Sequence, residues 1–108
     1  MPNGKRVYLQ PTETLIGAIN DLIEIQKGKV IHTDTVKGEV YFTVRMYAFK
    51  WELRFFVTDI GKSRCQVQLE IGGEGLGQKQ FIQREFALLD TFLTTLAEIE
   101  ISEQGGVL

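Results

Sequence analysis

The chain has 108 residues, 44% hydrophobic and 24% charged, with a formal net charge of −2. That length and balance suit one globular domain spanning 1–108, with an ordinary core, and argue against wholesale electrostatic binding of nucleic acid. A single cysteine permits no intrachain disulfide and no multi-cysteine metal site, and no stretch approaches the roughly 18 consecutive apolar residues of a membrane span.

The first ten residues lack the apolar run of a signal peptide, so a cytoplasmic location is expected. Arg6–Gln10 reads as a short strand. Pro11, Thr12 and Glu13 then open a helix: proline suits a first turn, threonine can cap, and an acid complements the helix dipole. Leu15, Ile16, Ile19, Leu22 and Ile23 form its apolar stripe, and Lys27-Gly28 supplies a basic end and a glycine stop. Lys29–Val36 is a second strand with poor alternation, as at an edge or where a strand crosses from core to solvent.

Residues 39–71 hold three strands in a row, Glu39–Tyr47, Trp51–Asp59 and Ser63–Ile71, each apolar at every second position. The inward set is Val40, Phe42, Val44, Met46, Trp51, Leu53, Phe55, Val57, Cys65, Val67, Leu69 and Ile71. Apolar parity shifts between Met46 and Trp51, which requires a hairpin turn or a bulge. The next turn is expected at Asp59–Lys62, around Gly61. Gly72–Gly77 ends the sheet, and a helix is predicted from about Gln78 to Glu98. Ile82, Phe86, Leu89, Leu93 and Leu96 form its central stripe, widened by Phe81, Leu88 and Phe92. Residues 99–108 read as a flexible tail, although Glu98–Ile101 alternates and could add a strand.

The expectation is an α+β fold of order β-α-β-β-β-β-α: an antiparallel sheet of about five strands with the C-terminal helix on its inner face. In three features the chain resembles a short member of the helix-grip superfamily, the START-like or SRPBCC domains that include polyketide cyclases and the birch-pollen allergen. These are a strand running into Pro11-Thr12-Glu13, a meander with Asp59-Ile60-Gly61-Lys62-Ser63-Arg64 before its final strand, and a glycine-rich lead into a long helix. The resemblance covers roughly residues 5–98 and implies a sheet curled around the last helix. It also implies the activities of that superfamily: ligand binding between sheet and helix, or cyclase- or hydrolase-like catalysis.

Candidate chemistry is sparse. Gly72 and Gly77 have the outer spacing of a phosphate-binding loop, but Gln78 and Lys79 stand where lysine and serine or threonine belong, and Glu74 puts a negative charge in the cradle. The plainer reading of this run is a flexible connection, or a lid beside a pocket mouth. His32, the single histidine, could share a strand face with Asp34, yet neither a nucleophile nor further metal ligands lie at a useful spacing. Cys65 falls on an inward face and reads as core. No catalytic residue, metal site or cofactor emerges.

Two surfaces remain. Phe42, Trp51, Phe55, Phe86 and Phe92 are either close-packed core or the lining of a site for a small apolar ligand between sheet and helix. The outward face carries Tyr41, Arg45, Arg54, Phe56 and Arg64 among its residues. Cross-strand pairing explains them most simply, a protein interface with homodimerisation comes second, and stacking of single-stranded nucleic acid third, opposed by the glutamates on that face. The functional expectation is a noncatalytic helix-grip-like module that binds a small apolar ligand or pairs with itself.

Overall fold

Alternation of apolar and polar residues builds most of this fold, because a sheet with one face on a core needs period two. The computed structural model describes residues 3–46, 48–72, 77–93 and 100–102. Its elements are β1 (Asn3–Tyr8), α1 (Thr12–Ile25), β2 (Lys29–Asp34), β3 (Glu39–Met46), β4 (Phe49–Gly61), β5 (Arg64–Gly72), α2 (Gln78–Asp90) and β6 (Glu100–Ser102). The strands form one sheet in the order β2-β3-β4-β5-β1-β6, and every pairing is antiparallel. The α+β expectation is met, with two helices against the inner face. Every predicted inward residue of β3, β4 and β5 is buried except Met46, which is partly buried against the core. Leu15, Ile19 and Leu22 of α1, with Phe81, Ile82, Phe86 and Leu89 of α2, close the same core. Each such side chain contributes roughly 1.5–3 kcal/mol by leaving water.

Several boundaries differ from the sequence-based expectation, each for a visible reason. The parity shift is a tight hairpin: Met46 pairs with Phe49, and Ala48 takes the left-handed conformation (φ 65°). The following turn lies later than Asp59–Lys62. β4 continues to Gly61 through a bulge, where Gly61 (φ 89°) donates its N–H to Asp59 Oδ1 at 2.7 Å. Lys62 and Ser63, both at φ 56°, then make the turn. Positive φ at both central residues matches the right-handed twist of a hairpin, so the glycine serves the bulge and not the turn.

The end of α1 also departs from expectation. Lys27 donates its N–H to the Glu24 carbonyl and Gly28 to that of Ile23, the pattern of a Schellman motif. The left-handed residue in it is Lys27 (φ 57°), not Gly28. Gly28 is needed for space: a Cβ there would lie 3.1 Å from Ile23 Cγ2 and 3.1 Å from the Thr43 carbonyl oxygen. At the other end, Thr12 does not cap α1; Pro11 is the N-cap residue, and its carbonyl accepts from Leu15 N–H.

α2 stops at Asp90 instead of about Glu98. Thr91 turns its hydroxyl onto the Leu88 carbonyl at 2.6 Å, and Phe92 and Leu93 bond three residues back, to Leu89 and Asp90. Such bonds tighten a final turn and compete with the helical ladder. Residues 94–98 of the predicted helix lie outside the described residues. So do Ile99 and residues 103–108 of the predicted tail, while Glu100–Ser102 pairs with β1.

Candidate functional site

The inward aromatics touch one another. Phe42 stacks on Phe55 (centroids 5.9 Å apart), Phe55 meets Phe86 edge-on (6.3 Å), and Trp51 stacks on Phe81 (4.6 Å). The Trp51 indole N–H finds its partner in the Met46 carbonyl, at 3.2 Å. Four of the five predicted ligand-site residues are buried in one core: Phe42, Phe55 and Phe86 form a ring-to-ring chain, and Trp51 packs on Phe81 instead. Phe92 is not among them: it lies past the end of α2 and is exposed.

Polar groups flank these aromatics at two seams that sequence reasoning missed. Glu85 on α2 is fully buried; Gln26 Nε2 donates to one of its oxygens (2.7 Å) and Arg84 Nη1 to the other (2.8 Å). Arg84 Nη1 also donates to Gln26 Oε1, at 2.8 Å. Burial pushes the Glu85 carboxyl up to about 7, although Gln26 and Arg84 both favour its charged form. Its position was a readable signal, since Phe81 and Leu89 stand four residues before and after it on one helix row. The second seam joins β1 to α2. The Tyr8 hydroxyl donates to Asp90 Oδ1 (2.7 Å), and Arg6 pairs with Asp90 Oδ2 (2.9 Å). Burial and the Asp90 carboxylate hold the Tyr8 phenol above its ordinary range. Nothing local in the sequence links residues so far apart. The carboxylate oxygens of both clusters are engaged, while the buried Arg6 Nε finds no partner among the described residues.

The outer sheet face is different in kind. Neither helix covers it, and its residues line up in cross-strand rows. One row runs His32, Tyr41, Arg54, Glu70, Asn3 across five strands. The His32 and Tyr41 rings lie 4.9 Å apart, and the Arg54 guanidinium sits 5.3 Å from the Tyr41 centroid. Phe56, in the next row, meets Tyr41 edge-on at 5.8 Å. Arg54 also pairs with Glu52 at 3.1 Å. Tyr41, Arg54 and Phe56 thus form one half-buried cluster with His32. Arg45 and Arg64 do not join it, because their strand positions put them at opposite ends: Arg45 opposite Lys50, Arg64 opposite Gly61.

β2 owes its poor alternation to a bulge between Val30 and His32. Val30 pairs with Phe42 on the inner side, whereas His32 pairs with Tyr41 on the outer side. His32 Nε2 lies 3.4 Å from Glu39 Oε1, not on Asp34. The Asp34 carboxylate instead accepts the N–H groups of Val36 and Lys37, each at 3.0 Å, and fixes the turn. Cys65 is buried, 3.5 Å from the Thr12 hydroxyl oxygen. Of the glycine run, residues 73–76 lie outside the described residues. No group of His, Cys, Asp or Glu among the described residues could hold a metal ion, and no helix among them is long and apolar enough to cross a membrane.

No family model matches the chain, and no curated protein matches it. Its fold is similar to that of the di-domain ARO/CYC StfQ from the steffimycin biosynthetic pathway, with a TM-score of 0.62 and 9% sequence identity. The likeness covers 85% of this chain and 43% of that one, so the chain spans less than half its length. At this identity the likeness carries the fold alone.

Proposed function

We propose that this chain is a noncatalytic helix-grip-like module that works through the outer face of its sheet, by pairing with a second copy of itself. The observation that carries the reading is the uncovered cluster of Tyr41, Arg54, Phe56 and His32, a composition favoured at interfaces. The face is also of mixed sign: Arg54 lies in the same field as Glu39, Glu52 and Glu70. A symmetric pair needs such a self-complementary patch. Light scattering tests it. The wild type is expected at twice the chain mass, and Arg54→Glu with Phe56→Ser at the single mass with its fold intact. A wild type that stays monomeric at every concentration, or a variant that keeps the dimer mass, would refute the reading.

A second reading is supported by the fold's likeness to an ARO/CYC protein. In it a small apolar ligand enters between the sheet and α2, displacing some of the contacts among Phe42, Trp51, Phe55 and Phe86. Cyclase- or hydrolase-like chemistry would need a free polar group there, and the carboxylates of Glu85 and Asp90 and the Tyr8 hydroxyl are engaged with partners. Native mass spectrometry of the protein from its host would reveal such a ligand as a mass lost on denaturation.

A further inference from the structure

At one end of the sheet the balance of charge breaks down. Lys27, Lys29, Arg45 and Lys50 line a groove of about 240 Å³ with Thr43, and no carboxylate among the described residues lines it. All four cations are exposed, and none forms an ion pair among the described residues. Arg45 and Lys50 face each other directly across β3 and β4, a like-charge juxtaposition that weakens a sheet. Glu52 in the adjoining hollow does not relieve it, being engaged by Arg54. Lys27 holds its place in a left-handed conformation that glycine would occupy more easily. Structural stability explains none of these choices, and the net charge of −2 means they are a local concentration.

Apolar side chains stand exposed around the same end of the sheet. Phe49, at the β3–β4 hairpin, is 54% exposed; it pairs with Met46 and meets Trp51 edge-on, so it lies on the inner side of the sheet, across its rim from Lys50. Ile25, two residues before Lys27, is 56% exposed, and Ile31, which lines the adjoining hollow with Lys50, is 55% exposed. Unpaired cations flanked by exposed aromatic and aliphatic groups are what an anionic lipid surface binds: headgroup phosphates meet the cations while the apolar groups reach the acyl boundary.

We infer that this end of the molecule docks edge-on on an anionic lipid surface, with a headgroup phosphate in the groove between Lys27, Lys29, Arg45 and Lys50 and Phe49, on the inner side of the same rim, entering the surface beside it. The inference does not rest on self-association, because the groove residues are distinct from the Tyr41, Arg54 and Phe56 cluster.

Vesicle sedimentation tests it, with phosphatidylcholine alone against phosphatidylcholine containing about a third phosphatidylserine. The full chain is expected to partition onto the anionic vesicles only, and less as salt is raised. Each cation removed should lower partitioning about fivefold, so Arg45→Gln with Lys50→Gln costs about 25-fold. Phe49→Ala should cost about fivefold. Lys27→Gly separates docking from folding, since it should weaken partitioning while leaving the protein at least as stable. Phe56→Ser alone, which addresses self-pairing without releasing Glu52 from Arg54, should change the partitioning by less than twofold per chain. Absence of partitioning onto anionic vesicles overturns the inference. So does partitioning unchanged in folded Arg45→Gln, Lys50→Gln and in Lys27→Gly. Binding of inorganic pyrophosphate without vesicle binding also overturns it, in favour of a soluble phosphate ligand.

Discussion

The Tyr8 hydroxyl and the Asp90 carboxylate meet at 2.7 Å, although 82 residues separate them. Their bond ties β1 to the last turn of α2, while Arg6 holds the other carboxylate oxygen. Tyr8→Phe keeps the ring in the core and removes only this bond. A hydrogen bond to a charged acceptor is worth about 1.5–3 kcal/mol, and Asp90 keeps Arg6. A loss of about 1–2 kcal/mol is therefore expected. Urea unfolding should show a lower midpoint with an unchanged slope; a midpoint equal to the wild type would mean the bond contributes nothing.

Glu85 makes stability depend on pH in an unusual direction for a carboxylate. Its folded-state value is raised from 4.5 to about 7, chiefly by burial. Below pH 4.5 it is protonated folded and unfolded, and its neutral form suits the buried seam. As pH rises, the unfolded chain ionises first. Stability then falls until the pH passes about 7, where the folded form ionises too. The full change is on the order of 3 kcal/mol. Glu85→Gln should flatten this slope and be at least as stable as the wild type at pH 8. A wild type equally stable at pH 5 and pH 8, other carboxylates corrected for by the variant, contradicts the account.

Gly38 is the glycine that the fold can least spare. It stands at φ 72°, and a Cβ built on it would collide with the Val57 carbonyl oxygen. Its own carbonyl accepts the Val57 N–H at 2.7 Å, so the backbones are locked together. Gly38→Ala should destabilise by about 3 kcal/mol or more, because neither conformation nor space allows the methyl. Thermal unfolding that shifts by only a degree or two would show that the β2–β3 turn can rearrange.

Lys27→Gly should do the reverse and stabilise by about 0.5–1 kcal/mol, relieving a left-handed lysine. Its neighbour answers differently: Gly28→Ala should cost about 1 kcal/mol, because the Thr43 carbonyl must give way. Equal effects at both positions would mean that the roles assigned to the two residues are wrong. Chemical denaturation of both variants provides the comparison.

Phe86→Ala addresses the second functional reading. Phe86 meets Phe55, which stacks on Phe42. The truncation should cost about 3–5 kcal/mol and leave an apolar cavity. An apolar dye should then bind the variant more strongly than the wild type. Tight dye binding by the wild type, weakened in the variant, would favour a natural ligand between sheet and α2.

The faces of this fold were legible in the sequence because a half-buried strand writes its period into adjacent residues. The inward residues from Val40 to Ile71 follow from alternation alone. The turns were less legible, because Ala48, Lys62 and Ser63 adopt positive φ without being glycine, so tertiary pairing selected conformations that local propensity disfavours. The end of α2 was misread because Phe92 and Leu93 continue the helical stripe after the helix has ended; the Thr91 hydroxyl, not the apolar pattern, marks the stop. The buried polar seams and the basic groove were hidden for another reason. Residues such as Gln26 and Glu85, or Lys29 and Lys50, become neighbours only when the sheet order is known. The outer cluster of Tyr41, Arg54 and Phe56 was within reach, since parity places all three on one face, but parity could not show that Arg45 and Arg64 lie at its two ends.

The sheet order has a consequence for how the chain folds. β3, β4 and β5 join through tight turns, so their pairing closes only short loops and can form early. β1 must wait: its partner is β5, with Asn3 opposite Glu70. The α2 seam then depends on β1, through Tyr8 and Arg6. Strand β1 and helix α2 therefore form a late cooperative unit laid over an early meander. In native-state hydrogen exchange the amides of β1 and α2 should open together, by a lower-energy route than those of β4, and Tyr8→Phe should bring that partial opening closer without touching the meander beneath.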